Sequence, residues 1–148
     1  MKLIFDNRYA TFYALSPELP NSMLCYWKGF YQLKNPELII ALNYCLDCVK
    51  EQQIKVIISE HSELEVMPLE TIEYLNNVWY KEIVNNGLQV EIYIDSKELT
   101  GQLAIEEMYD QVGRNYKELL TPKVETIEEG RILAKKFIDR IQSEPEAN

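Results

Sequence analysis

The residues best equipped for chemistry fall in one stretch, Ser59-Glu60-His61-Ser62-Glu63, which carries the only histidine of the chain. Histidine titrates near neutrality, so His61 between Glu60 and Ser62 has the chemistry of a general base or a proton switch. Neighbours in sequence need not face one another, however, and nucleophile–base pairs are built from distant segments. With no second histidine to assist, the stretch reads as a solvated loop. Glu60, Glu63 and Glu65 offer oxygen ligands without the Asp/Asn and glycine pattern of a calcium loop.

Cys45-Leu46-Asp47-Cys48 has the spacing of a redox pair. A reactive pair sits at a helix N-terminus, where the dipole favours thiolate. Here the pair falls well inside a helix that begins near Pro36, on its apolar stripe, which makes it core packing. As a zinc site it lacks two ligands, unless Cys25 and His61 converge on it. Trp79-Tyr80, with Tyr74 and Val78, adds aromatic character around a helix. Trp79 belongs to the core stripe, while Tyr74, Val78 and Tyr80 are read as surface of the kind enriched at interfaces. Gly29, Gly101 and Gly113 are too far apart to cradle a phosphate, and no Walker or dinucleotide fingerprint is present.

These residues need elements to hold them. Lys2 to Phe5 and Arg8 to Ala14 read as a hairpin turning at Asp6-Asn7, the second strand alternating Ala10, Phe12 and Ala14 against Tyr9, Thr11 and Tyr13. Met23 to Trp27 is apolar on both faces and reads as an internal strand. Asn35-Pro36-Glu37 opens a helix to about Gln52, with Leu38, Leu42, Cys45 and Val49 as its stripe. Ile54 to Ile58 is a buried central strand, and Ser59 to Pro68 the loop after it. The second helix carries Leu69, Ile72, Leu75, Trp79 and Ile83 inward and stops at Gly87. Leu88 to Ile94 is a strand, followed by a loop from Asp95 to Gly101. Ile105, Met108, Tyr109 and Val112 mark a shorter helix ending at Gly113, and Tyr116 to Leu120 a further strand. Thr126 with Glu129 forms a capping box before a last helix, with Ile127, Ile132 or Leu133, Phe137 and Ile141 on its stripe. The expected architecture is a single α/β domain over residues 1–142, with a flexible tail at 143–148. Its sheet is mixed: an antiparallel hairpin is followed by helix–strand units with right-handed crossovers, and about four helices cover it.

The totals narrow the function classes. Of 148 residues, 47% are hydrophobic and 26% charged, which suits one globular domain. A net charge of −9 argues against nucleic acid and anionic membrane, which require a basic face. The apolar start is interrupted at Asp6, too soon for a signal peptide, and no run is long enough to span a bilayer. Three cysteines make no closed disulfide framework, so the expected location is cytoplasmic.

Several features together resemble the SpoIIAA-like fold group, which includes STAS domains and the CRAL-TRIO lipid-binding domains. The closest likeness is to uncharacterised stand-alone bacterial members. The features are the opening hairpin, Trp27-Lys28-Gly29 closing the third strand, the passage Ile57-Ile58-Ser59-Glu60, Pro68 opening a helix that carries Trp79, and Thr126 to Leu133 opening the last helix. Antagonist STAS domains carry a phosphorylatable serine in an Asp-Ser-Ser-Gly type loop; Glu60-His61-Ser62-Glu63-Leu64 has no glycine and a different order. The resemblance implies a non-enzymatic, regulatory protein-interaction module without cofactor or metal. The expected recognition surface is Ser59, Glu60, His61, Ser62, Glu63, Tyr74, Val78 and Tyr80, with a protein partner or a second copy in a homodimer. A small hydrophobic, lipid-like ligand held between helices and sheet is the alternative, and a redox protein using Cys45 and Cys48 a further one.

Overall fold

The computed structural model describes residues 1–144. Five strands form one sheet in chain order: β1 (Lys2–Asp6), β2 (Ala10–Ala14), β3 (Ser22–Phe30), β4 (Val56–Val66) and β5 (Val90–Ile94). The first two pairings are antiparallel, and β3–β4 and β4–β5 are parallel. This is the expected mixed sheet. Beyond β5, Leu120 and Lys123 bridge to Val90 and Tyr93. The sequence reading of a strand over Tyr116 to Leu120 is corrected: the chain turns over most of that stretch, and only its last residue, Leu120, touches the edge.

The helices are α1 (Pro36–Gln52), α2 (Leu69–Tyr74), α3 (Tyr80–Asn85), α4 (Leu99–Asn115) and α5 (Ile127–Ser143). A π-helical stretch, Leu75–Trp79, joins α2 to α3, and the backbone stays right-handed helical throughout, so the helices make four rods. Each start follows from local chemistry. The Asn35 side chain accepts from the Glu37 amide and caps α1, with Pro36 at the first turn. Thr126 accepts from the Glu129 amide and caps α5. Gly87, at φ +105°, ends α3 with the Leu88 amide closing back on Ile83. Gly113 does not end α4: right-handed α backbone continues to Asn115.

Two cores lie on opposite faces of the sheet. One joins Phe12, Cys25, Trp27 and Ile57 to α1, the α2–α3 rod and α4. The other joins Leu24, Val56, Ile58, Val90 and Ile92 to α5 through Ala134 and Ile138. Burying a large apolar side chain is worth about 1.5–3 kcal/mol, so both faces contribute substantially. One inward assignment is corrected: Leu69, in the first turn of α2, is 61% exposed. Of the alternatives Ile132 and Leu133, Leu133 packs on the second core, while Ile132 is 56% exposed because α5 packs through Gly130, Ala134 and Ile138. A Cβ on Gly130 would lie 3.2 Å from Ile58, so its absence brings α5 close to the sheet.

The stretch read as the Ser59 to Pro68 loop is mostly strand, since β4 continues to Val66. Its register explains why the polar sequence does not leave the sheet. Tyr26 pairs with Glu60 and Lys28 with Glu63, so β4 carries one extra residue there. The bulge changes the alternation: Ile57, Ser59 and His61 point into the first core, and after it Leu64 does too. Of the expected tail, Ser143 closes α5, and residues 145–148 lie outside the described residues.

Candidate functional site

Several side chains with polar groups meet inside the first core, most of them residues that a sequence would place on surfaces. Glu91 stands on β5 opposite Ile57 of β4. Helices cover both faces of this sheet, so alternation cannot take Glu91 to water, and it is 2% exposed. Its Oε2 accepts from the Ser59 hydroxyl at 2.6 Å and its Oε1 from the Tyr80 hydroxyl at 2.5 Å. Ser59 in turn accepts from the Trp27 indole N–H at 3.1 Å. The buried Tyr109 hydroxyl approaches the same carboxyl but makes no aligned hydrogen bond with any described residue. His61, two positions beyond Ser59, directs Nδ1 at the Ile94 carbonyl, 2.9 Å away.

The π-helical stretch brings Tyr80 to this site. The Tyr80 amide bonds to the Leu75 carbonyl, five residues back, which leaves the Asn76 carbonyl without its usual helical donor. The Tyr116 hydroxyl donates to that carbonyl. The Asn76 side-chain amide donates to the Ile72 and Met108 carbonyls, while its own Oδ1 is buried without a partner. The widened turn lets Trp79 and Tyr80 both face the core, with ring centroids 4.9 Å apart and planes near perpendicular.

Between the sheet and this rod lies a cavity of about 20 Å³, walled by Trp27, Tyr31, Trp79 and Tyr80, with Met67 and Met108 beside them and Glu91 and His61 as its ionisable groups. That is room for roughly one water molecule. It lies toward the carboxyl ends of β3 and β4, where open α/β sheets bind ligands. Burial pushes the Glu91 carboxyl up, with the hydrogen bonds from Ser59 and Tyr80 and the nearby Tyr109 hydroxyl acting against it. Burial also pulls His61 down to about 4, so the imidazole is neutral at neutral pH. Burial and the nearby carboxyl hold the Tyr80 and Tyr109 hydroxyls well above 10.

The expected recognition surface therefore divides. Ser59, His61 and Tyr80 are buried, which corrects their assignment to a surface. Glu60, Ser62 and Tyr74 are half-buried, and Glu63 and Val78 exposed. Both Glu60 oxygens accept from Ser62, through its amide and its hydroxyl, which fixes the outer side of the bulge. Cys45 and Cys48 are buried on α1. Burial, then the neighbouring Cys45 and Asp47, pushes the Cys48 thiol up to about 12, and burial raises Cys25 as well; both suppress the reactive thiolate. No cluster of metal-ligating side chains occurs among the described residues, and none of their helices is long and apolar enough to cross a membrane.

Sequence reasoning passed over Glu91, Tyr31, Asn76 and the inward role of Trp27. One signal for Glu91 was available: it lies in a strand flanked by helical segments, where both faces tend to be covered. Tyr80 carried no such signal, because the π-helical stretch before it breaks the regular helical spacing from Ile72. Comparison of the chain with known protein families and with curated proteins finds no match.

Proposed function

We propose that this chain is a non-enzymatic, cytoplasmic binding module of SpoIIAA-like kind, whose site is the interior cavity beside Glu91. The observation that carries the reading is a small aromatic-walled cavity with a buried carboxyl among its lining residues, between the sheet and the α2–α3 rod. Its lining has the character of a ligand site, mostly apolar walls with a few placed polar groups, and it must widen to reach the size of one. The bonding pattern favours binding over catalysis. His61 Nδ1 is engaged by a main-chain carbonyl, and Ser59 is bonded to Glu91 and Trp27 rather than to a base. The ligand is a small molecule with an apolar body and one polar head, admitted by displacement of the α2–α3 rod and of the flexible Met67 and Met108 side chains.

The chain has two tryptophans and both line the cavity, so tryptophan emission reports on the site. Native mass spectrometry of gently purified protein is expected to show bound small molecules, and their removal to change that emission. Uniformly empty protein, together with no emission response to a panel of small amphiphiles, would sink the reading. A second reading, protein recognition, is favoured by exposed Leu69 and Val78 on the α2–α3 rod and by Leu99 and Leu103 on α4, which packs beside it. It predicts that Val78→Glu abolishes capture of a protein partner while the cavity still takes its ligand.

A further inference from the structure

We propose that copies of this chain associate head to tail, the outer face of α4 on one copy docking against the outer face of α5 on the next. This goes beyond the cavity reading and does not depend on it. The two helices cover opposite sides of the sheet, α4 over the first core and α5 over the second. Each also turns apolar surface to solvent: Leu99 is 68% and Leu103 59% exposed on α4, and Ile132 is exposed on α5.

The two faces carry one pattern with opposite charge. On α4, Leu103 is followed at three and four residues by Glu106 and Glu107, with Asp110 beyond, and no lysine or arginine occurs from Leu99 to Gln111. On α5, Ile132 is followed at three and four residues by Lys135 and Lys136, with Arg131 beside it, and no acid occurs from Gly130 to Ile138. That spacing sets each group on one helix face. The two glutamates, Asp110 and both lysines are exposed. Among the described residues, only Lys135 of these charges has an ion-pair partner, Asp139 on the next turn of its own helix. A groove of about 550 Å³ lies beside Ile132, lined also by Leu19 and by all three α5 cations. It has two acids, Glu18 and Glu128. With the helices laid parallel, Leu103 meets Ile132 and the acid pair meets the lysine pair, while Glu128, one turn before Ile132, falls opposite Leu99 and away from Glu106 and Glu107. Such matching of charge selects a partner and fixes its register. Because the faces lie on opposite sides of one sheet, a single copy cannot join its own pair. Each contact leaves one face of either kind free, so the assembly grows as an open chain or closes as a ring. One helix per copy makes a small interface, so association depends on concentration.

The test is light scattering of the full chain over a concentration series, with two neutralised variants. One carries Leu103→Gln, Glu106→Gln and Glu107→Gln; the other carries Ile132→Gln, Lys135→Gln and Lys136→Gln. All six positions are exposed and glutamine suits a helix, so both variants should unfold at the temperature of the unaltered chain. The unaltered chain should gain mass with concentration, past that of two chains. Each variant alone should keep the mass of a single chain. An equimolar mixture should reach the mass of two chains and stop, because it holds one intact face of each kind. An unaltered chain that keeps the mass of a single chain up to about 1 mM, where even a weak contact would show, overturns the proposal. So does a mass that levels at two chains, the mark of a closed two-fold dimer. A mixture that stays at single-chain mass, or a variant that associates like the unaltered chain, overturns the pairing of α4 with α5.

Discussion

His61 illustrates how burial decides the role of a single residue. The only histidine of the chain invites a proton-switch reading, yet its ring is enclosed beside Tyr93 and Tyr109 and bonded to the Ile94 carbonyl. Its folded value near 4 lies below the ordinary 6.5. Between these values the unfolded chain binds more protons than the folded one, so this residue's stabilising effect is full above about pH 6.5 and is lost as pH falls toward 4. A shift of that size corresponds to about 3 kcal/mol. Glu91, whose carboxyl is raised, acts in the opposite sense, favouring the fold at lower pH. Comparing unfolding of the protein and of His61→Gln from pH 7 to pH 4 isolates the histidine: the variant should lose less stability over that range. Identical pH profiles would place the imidazole in contact with water.

At the scale of elements, the π-helical stretch is the device that connects a helix to the interior site. It leaves one main-chain carbonyl, that of Asn76, to be satisfied from outside the rod, and Tyr116 reaches in from the chain after α4 to do so. Tyr116→Phe should cost about 1–3 kcal/mol, the range for stranding a buried acceptor, and the loss should appear in urea unfolding. Because Tyr80 follows the stretch directly, the same variant should also perturb the Trp79 indole resonance. Unchanged stability would show that water replaces the hydroxyl.

For the molecule as a whole, strand and helix order were legible because periodicity and capping are local. Asn35-Pro36, Gly87 and Thr126 mark boundaries that the structure keeps within a residue or two. The candidate site was much less legible, and the reason is geometric. Polarity in Ser59 to Glu63 looks like a loop until the β4 bulge and the covering helices are known, and Glu91 looks solvated until both sheet faces are covered. Leu69 failed in the opposite sense, and spacing left Ile132 and Leu133 undivided until the structure turned Leu133 inward, since helical spacing defines a stripe but not which edge of it meets the sheet.

The two cores are covered at different times as the chain is made. The helices of the first face precede or follow β4 and β5 closely in sequence, whereas the second face waits for α5 alone. A nascent chain that has just completed β5 thus presents Leu24, Val56, Ile58, Val90 and Ile92 as a bare hydrophobic plane. A version ending at Thr126 should mimic that stage, binding a hydrophobic dye strongly and clumping in solution, and a separate peptide of residues 127–144 should suppress both. Newly made molecules would then depend on a chaperone until their last helix docks.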